Sequence, residues 1–239
     1  MEKTNLKIKD RDVVVPGEIL AEGMDYLPSQ GTYRKDNFII ASILGLARVE
    51  GKVIKIIPLS GNYLPKRGDV IIGKVADINF SGWSVETNSA YNAMLSMKDG
   101  TSDYIRRGED LTKYFSIGDF IVTKIYNVTS QNLIDLTMKG PGLRKINGGR
   151  MMKVAPSKVP RIIGKLGSMV SMIKKATNCN IIVGQNGIVW IKGVMPEDEL
   201  ITVETIKKIE AESHVPGLTS IIKDFLEKKG KKVVLEGEA

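Results

Sequence analysis

The chain has 239 residues, 42% of them hydrophobic and 26% charged, with a formal net charge of +8. That is enough apolar material for two or three small domains in water, and runs such as Val70–Ile72 and Ile181–Val183 fall far short of the roughly 20 residues that a membrane helix needs. Cys179 and His214 are the only residues of their types, which excludes an intrachain disulfide and a His/Cys-rich zinc site, and Met1-Glu2-Lys3 leads into polar sequence, so no cofactor, metal or membrane is expected and the expected address is the cytoplasm.

The first segment holds Val13-Val14-Val15, Phe38-Ile39-Ile40, Ile43 to Val49 and Val53 to Ile57, short apolar stretches separated by turn residues. They predict a small all-β unit ending near Gly61 to Pro65. The second segment contains an internal echo, Arg67-Gly68-Asp69-Val70-Ile71-Ile72-Gly73-Lys74-Val75 against Ile117-Gly118-Asp119-Phe120-Ile121-Val122-Thr123-Lys124-Ile125, each a turn followed by a strand. Trp83 to Glu86, Ala90 to Leu95 and Asn132 to Met138 complete a set of five short strands, the spacing of an OB barrel.

The third segment alternates element types. A strand is expected at Met151 to Ala155, a short helix near Val159 to Ile163, then Gly164-Lys165-Leu166-Gly167, and a second helix from Ser168, read as its N-cap, with Met169, Val170, Met172, Ile173 and Ala176 on the helical period. Strands at Asn180 to Val183 and Ile188 to Lys192 follow, joined by Gly184-Gln185-Asn186-Gly187, where Asn-Gly signals a hairpin turn with positive φ at both central residues. Pro196 with three acids behind it opens a further helix, and a last one is expected from Pro216 to Lys229, with Leu218, Ile221, Ile222, Phe225 and Leu226 on one face. The tail from Lys231 to Ala239 is expected to fray.

Charge divides the chain. Residues 1–64 carry nine Lys and Arg against eight acids, residues 65–140 nine against nine, so nearly all the excess lies beyond residue 140. Between Asp135 and Glu197 there is no acid at all, but eleven Lys and Arg, which is the footprint of a polyanion-binding surface. The glycine pair Gly164 and Gly167 falls inside that window between two helices. Glycines let a phosphate backbone approach closely, and the following helix offers free N–H groups at its positive end. Lys165 is a point charge in the loop, Lys158, Arg161 and Lys174 flank it, and Ile163 and Leu166 are candidates for an apolar floor under bases.

Several resemblances rest on these residues. Lys66 to about Lys139, with its two Gly-Asp strand openers and the closing Ile134-Asp135-Leu136-Thr137-Met138-Lys139, resembles the S1 domain, an RNA-binding OB module. The order strand, helix, helix, strand, strand, helix with a G-x-x-G loop resembles a KH domain. Together with Val13-Val14-Val15-Pro16-Gly17-Glu18, and with G-x-N-G at Gly184, Asn186 and Gly187 as a structural turn, most of the chain is similar to the RNA-binding cap subunits of the archaeal exosome, the ribosomal RNA-processing protein four family. The fold expected is therefore multidomain: an all-β N-terminal domain over residues 1–64, an S1-type OB-fold barrel over 65–140, and an α/β KH domain with a C-terminal helical extension over 147–239.

The resemblance implies a non-catalytic subunit that captures single-stranded RNA and passes it to a ring of RNase PH-like subunits for 3′-to-5′ degradation or tailing. Three copies sit on that ring through the N-terminal domain, with or without a second cap protein, and a DnaG-type primase is a further implied partner. In the barrel it marks Phe80, Trp83, Lys124 and the Arg106-Arg107 pair as RNA-facing. Alternation puts Trp83 on the face of Val85, so if Val85 is core, Trp83 is too. Asp77, Glu86, Asp99, Asp103, Glu109 and Asp110 show no paired spacing for a metal-dependent nuclease, and Gly164-Lys165 lacks the spacing of a P-loop. A NusA-like S1/KH factor is the rival; its two KH domains have the opposite element order.

Overall fold

The computed structural model describes residues 5–101, 105–106 and 108–231 and divides into two compact units, Met1–Gly61 and Asn62–Ala239. The first contains β1 (Asn5–Leu6), β2 (Val13–Val14), β3 (Ile19–Glu22), β4 (Leu27–Pro28), β5 (Thr32–Lys35), β6 (Phe38–Ala41), β7 (Gly45–Glu50) and β8 (Val53–Pro58). They form two four-stranded sheets, β1-β3-β6-β5 and β2-β7-β8-β4. Alternating residues of both, among them Val14, Leu20, Ile39, Ala47, Ile54 and Ile56, make one core. Strand β5 escapes sequence reading because it is an edge strand of Thr-Tyr-Arg-Lys with no fully buried residue.

In the second unit, β9 (Val70–Asn79), β10 (Gly82–Glu86), β11 (Ala93–Ser96), β12 (Phe120–Val128) and β13 (Ile134–Thr137) close a barrel. Its order is β9-β10-β11-β13-β12 and back to β9, all antiparallel except β11 with β13. A one-turn helix, α1 (Met97–Gly100), follows β11, and β14 (Arg144–Ile146) extends the sheet on β12, past residue 140. The barrel is filled by Ile71, Val75, Trp83, Val85, Leu95, Phe115, Ile121, Ile125 and Leu136.

The KH domain follows as β15 (Arg150–Lys153), α2 (Val159–Ile163), α3 (Ser168–Thr177), β16 (Asn180–Val183), β17 (Ile188–Lys192) and α4 (Pro196–Ala211), with α5 (Leu218–Lys228) as the extension. The three strands run in the order β15-β17-β16, all antiparallel. The helices cover one face of this sheet through Val159, Ile162, Met172, Ile173, Ile206 and Ile209, packed on Val189 and Ile191. Glu199 of α4 ties the layers together, accepting from the Gly193 N–H at 3.0 Å and from Arg150 Nε at 2.9 Å. The Gly193 N–H and then Arg150 hold its carboxyl below the usual range.

The other face of the KH sheet lies on the barrel. Ile188 and Trp190 of β17 pack with Ile72, Val122 and Ile146 of the barrel sheet, joined by Met151 and Ile182. This explains two runs without alternation: in Ile71-Ile72 and in Ile188-Val189-Trp190-Ile191, neighbouring residues serve cores on opposite faces. The indole of Trp190 donates to the Gly148 carbonyl at 2.6 Å.

The turn Gly184 to Gly187 does more than reverse the chain. The Gly187 N–H donates to the Gly184 carbonyl at 3.0 Å and only Gly187 has a positive φ, 79°, so Asn186 does not adopt the mirror-image turn its Asn-Gly pair suggests. The reason is tertiary. Strand β10 pairs with β9 only from Lys74 onward, leaving Val70 to Gly73 without a strand on that side. The fully buried Asn186 amide fills the gap: Nδ2 donates to the carbonyls of Ile72 at 2.7 Å and Thr87 at 2.8 Å, and the Ile72 N–H donates to Oδ1 at 3.3 Å. The Gln185 N–H adds a bond to the Val70 carbonyl at 2.9 Å, and Asn88 Nδ2 donates to the Asn186 carbonyl at 2.8 Å. A Cβ on Gly184 would stand 2.4 Å from Asn186 Oδ1, and one on Gly187 2.4 Å from the Val154 carbonyl.

Removing that amide strands two buried carbonyls. Asn186→Ala is expected to cost about 2–4 kcal/mol in urea unfolding monitored by tryptophan fluorescence. Asn186→Asp is expected to cost at least as much at neutral pH, because a carboxylate oxygen then faces the carbonyls of Ile72 and Thr87.

Candidate nucleic-acid interface

Between α2 and α3 the backbone leaves the helical region at three residues: Gly164 (φ 76°, ψ 177°), Leu166 (φ 53°, ψ 26°) and Gly167 (φ 82°, ψ 9°). The two glycines do different work. A Cβ on Gly164 would meet the Met169 nitrogen at 2.7 Å, so Gly164 lets α3 start hard against the loop. Gly167 faces open space, with nothing within 4 Å of a Cβ placed there. It also takes the N-cap position expected of Ser168, which is instead the first helical residue, and no side chain caps the N–H groups of α3. Of the N–H groups at the start of α3, that of Ser168 donates to the Lys165 carbonyl and no side chain caps those that follow; a helix start of this kind can accept an anion.

Lys165 and Arg161 are exposed on this loop and on α2, and Lys158 and Lys174 stand half-buried at the start of α2 and on α3. None of the four has an acidic partner among the described residues. Their neighbours in the basic window behave otherwise: Lys139, Lys145 and Arg150 pair with Asp99, Asp119 and Glu199. Ile163 is half-buried and packs toward the KH core, whereas Leu166 is fully exposed at the loop tip, so it projects from the surface and floors nothing. An exposed leucine held at positive φ is a strained position of the kind found at binding loops.

The barrel candidates separate. Phe80 is fully exposed just beyond the end of β9, over a cleft of about 770 Å³ lined also by Ile78, Met97, Glu109, Asp110 and Leu111. Arg106, three residues before Glu109 of that lining, is exposed. Glu109 spends its carboxylate on the Arg106 N–H at 3.2 Å and the Tyr114 hydroxyl at 3.2 Å. Asp110 caps Leu111–Lys113, and the Thr112 hydroxyl followed by the Thr112 N–H holds its carboxyl below the usual range. Arg107 and Asp103 lie outside the described residues. Lys124 pairs across from Val70, at the opposite end of β9 from Phe80; ten residues at roughly 3.3 Å each put about 30 Å between them. It lies instead with Arg67, Tyr126 and Lys139. There the guanidinium of Arg67 sits 5.9 Å from the ring of Tyr126, which is largely exposed. That aromatic–cation pair was not anticipated, since its members are 59 positions apart in the sequence.

Trp83 is a correction. Its side chain is fully buried with Val85, its indole N–H donates to the Phe115 carbonyl at 3.1 Å, and its ring meets Phe115 edge-on at 5.1 Å. It is a core residue and offers no face to a base. Among the described residues, no three His, Cys, Asp or Glu side chains gather as a ligand set.

Comparison with known proteins agrees with this architecture at each domain. Residues 13–50 match the model of the exosome complex exonuclease RRP4 N-terminal region, residues 62–110 that of the RRP4 S1 domain, and residues 149–197 that of a KH domain. The exosome complex component Rrp4 of Pyrococcus furiosus is 44% identical over 92% of this chain and 84% of its own length. Those of Methanothermus fervidus and Thermoplasma acidophilum are 42% and 40% identical, over 92% and 93% of this chain and 97% and 93% of their own lengths. A solved structure, "Crystal structure of putative exosome complex RNA-binding protein", superposes with a TM-score of 0.65 at 33% identity, covering 71% of this chain and 98% of that one. With identity at this level along nearly its whole length, and with N-terminal, S1 and KH domains in the order of the family, the chain belongs to the Rrp4 family of exosome complex components.

Proposed function

We propose that this chain is a non-catalytic, cytoplasmic RNA-binding cap subunit, which holds single-stranded RNA on its KH loop and delivers it to RNase PH-like ring subunits that perform the 3′-to-5′ chemistry. The observation that carries this reading is the Gly164–Gly167 loop: an uncapped helix start, an open glycine and cations without acidic partners among the described residues, all inside a window free of acids. Relatives named as exosome complex components support the assembly.

Each unit has a part in this proposal. Ring docking falls to the N-terminal unit, whose surface leaves Val13, Val15, Met24 and Leu27 exposed in an almost charge-neutral segment. The barrel supplies guidance. Phe80 and Arg106 stand at one of its ends, and Lys124 with Arg67 and Tyr126 at the other, so RNA passing along it meets a stacking surface and a cation at each. A second cap protein and a primase remain partners proposed on family resemblance.

Binding of a labelled oligoadenylate to the whole chain is expected to weaken steeply with salt. Lys165→Glu combined with Gly167→Asp is expected to reduce affinity about tenfold or more, and to flatten the salt slope by about 0.7 for each phosphate no longer engaged. Unchanged affinity in a folded double variant transfers RNA capture to the barrel. Phe80→Ala is expected to cost about 1–3 kcal/mol if a base stacks there. The purified chain is expected to release no nucleotides from RNA until ring subunits are added; nuclease activity of the chain alone, free of contaminants, contradicts the assignment.

A further inference from the structure

Beside the glycine loop, on the side of the helices, lies a cleft of about 440 Å³. One wall is Arg161 of α2, Lys165 of the loop and Ser168 of α3. The other is the turn from His214 to Thr219 that leads into α5. The only histidine of the chain thus faces a loop about fifty residues earlier in sequence. We infer that this cleft is a phosphate subsite for the backbone of single-stranded RNA, built jointly by the KH loop and the C-terminal extension. The inference rests on the reading of the loop as an RNA contact and adds the extension to the binding surface.

Three features point to a phosphate. No carboxylate lines the cleft, while Arg161, Lys165 and His214 do, together with the hydroxyls of Ser168 and Thr219. No hydrogen bond or ion pair engages the side chains of Arg161, Lys165 or His214 among the described residues, so these lining side chains are uncommitted. No aromatic side chain other than the imidazole lines it, which leaves a base little to stack on and favours the charged backbone. Gly164 and Lys165 of the loop themselves line the cleft, so a strand bound at the start of α3 has its next phosphate within reach of the second wall.

The test uses the whole chain and a fluorescein-labelled oligoadenylate. Thr219→Glu sets an anion in the cleft, and Ser220→Glu sets the same charge one residue along α5, outside it. Both stand in the first turn of α5, where an acid favours the helix, so neither is expected to unfold the protein. Thr219→Glu is expected to weaken binding at least about fivefold with a salt slope lower by about 0.7, and His214→Ala to weaken it by a smaller factor, while Ser220→Glu stays near the parent. If Thr219→Glu and His214→Ala both behave like Ser220→Glu while the Lys165→Glu, Gly167→Asp variant loses affinity, the subsite is overturned and the loop reading stands. If the loop variant also binds like the parent, RNA capture passes to the barrel, and the subsite falls with the reading of the loop as an RNA contact.

Discussion

Strand β9 begins with four residues that no barrel strand covers on one side, and closing that edge joins the KH domain to the barrel. An unpaired strand edge invites pairing with other chains. Here the Asn186 side chain presents a donor and an acceptor as a neighbouring strand would, and the Gln185 N–H continues the ladder by one bond. Because the amide comes from a turn of the KH domain, satisfying the barrel also seats the KH sheet on it. Ile72, Val122, Ile146, Ile188 and Trp190 then exclude water from the joint. The apolar contact supplies most of the attraction, and the amide supplies the register, since a shift of either partner would leave buried polar groups unpaired.

One consequence is that barrel and KH domain present a shared, fixed surface. The KH sheet has no free face: helices cover one side and the barrel the other. What remains to a ligand is the rim where α2, the glycine loop and α3 meet solvent. The uncompensated cations lie at that rim, whereas Lys145 and Arg150, close to the joint, are paired with Asp119 and Glu199. Two cations near the joint are thus neutralised, while those of the loop are left without acidic partners among the described residues. The barrel has as many acids as bases, so in the proposed function it acts through its exposed aromatics more than through a net field.

Much of this was legible in the sequence because the cues were local. The order of KH elements followed from periodicity and glycine punctuation, and the acid-free window located the rim without coordinates. Trp83 was decidable in principle: it shares a face with Val85, both are buried, and a backbone bulge between Ser84 and Val85 does not separate them. What was not legible depends on contacts distant in sequence. Asn186 reads as a hairpin residue until its partner 114 positions earlier is known. Ser168 reads as a cap until the left-handed Gly167 takes that position. The polar edge strand β5 and the late strand β14 lack an apolar run, and exist because a neighbouring strand holds them.

In the proposed function RNA is held first at the KH loop, on a surface that the joint with the barrel keeps in place. Ultraviolet crosslinking of the whole chain to a photoreactive oligoribonucleotide, with crosslinked peptides identified by mass spectrometry, reads this out residue by residue. The strongest crosslinks are expected within residues 158–174, with weaker ones at Phe80. Crosslinks confined to the barrel, with none on the loop or its flanking helices, would contradict it.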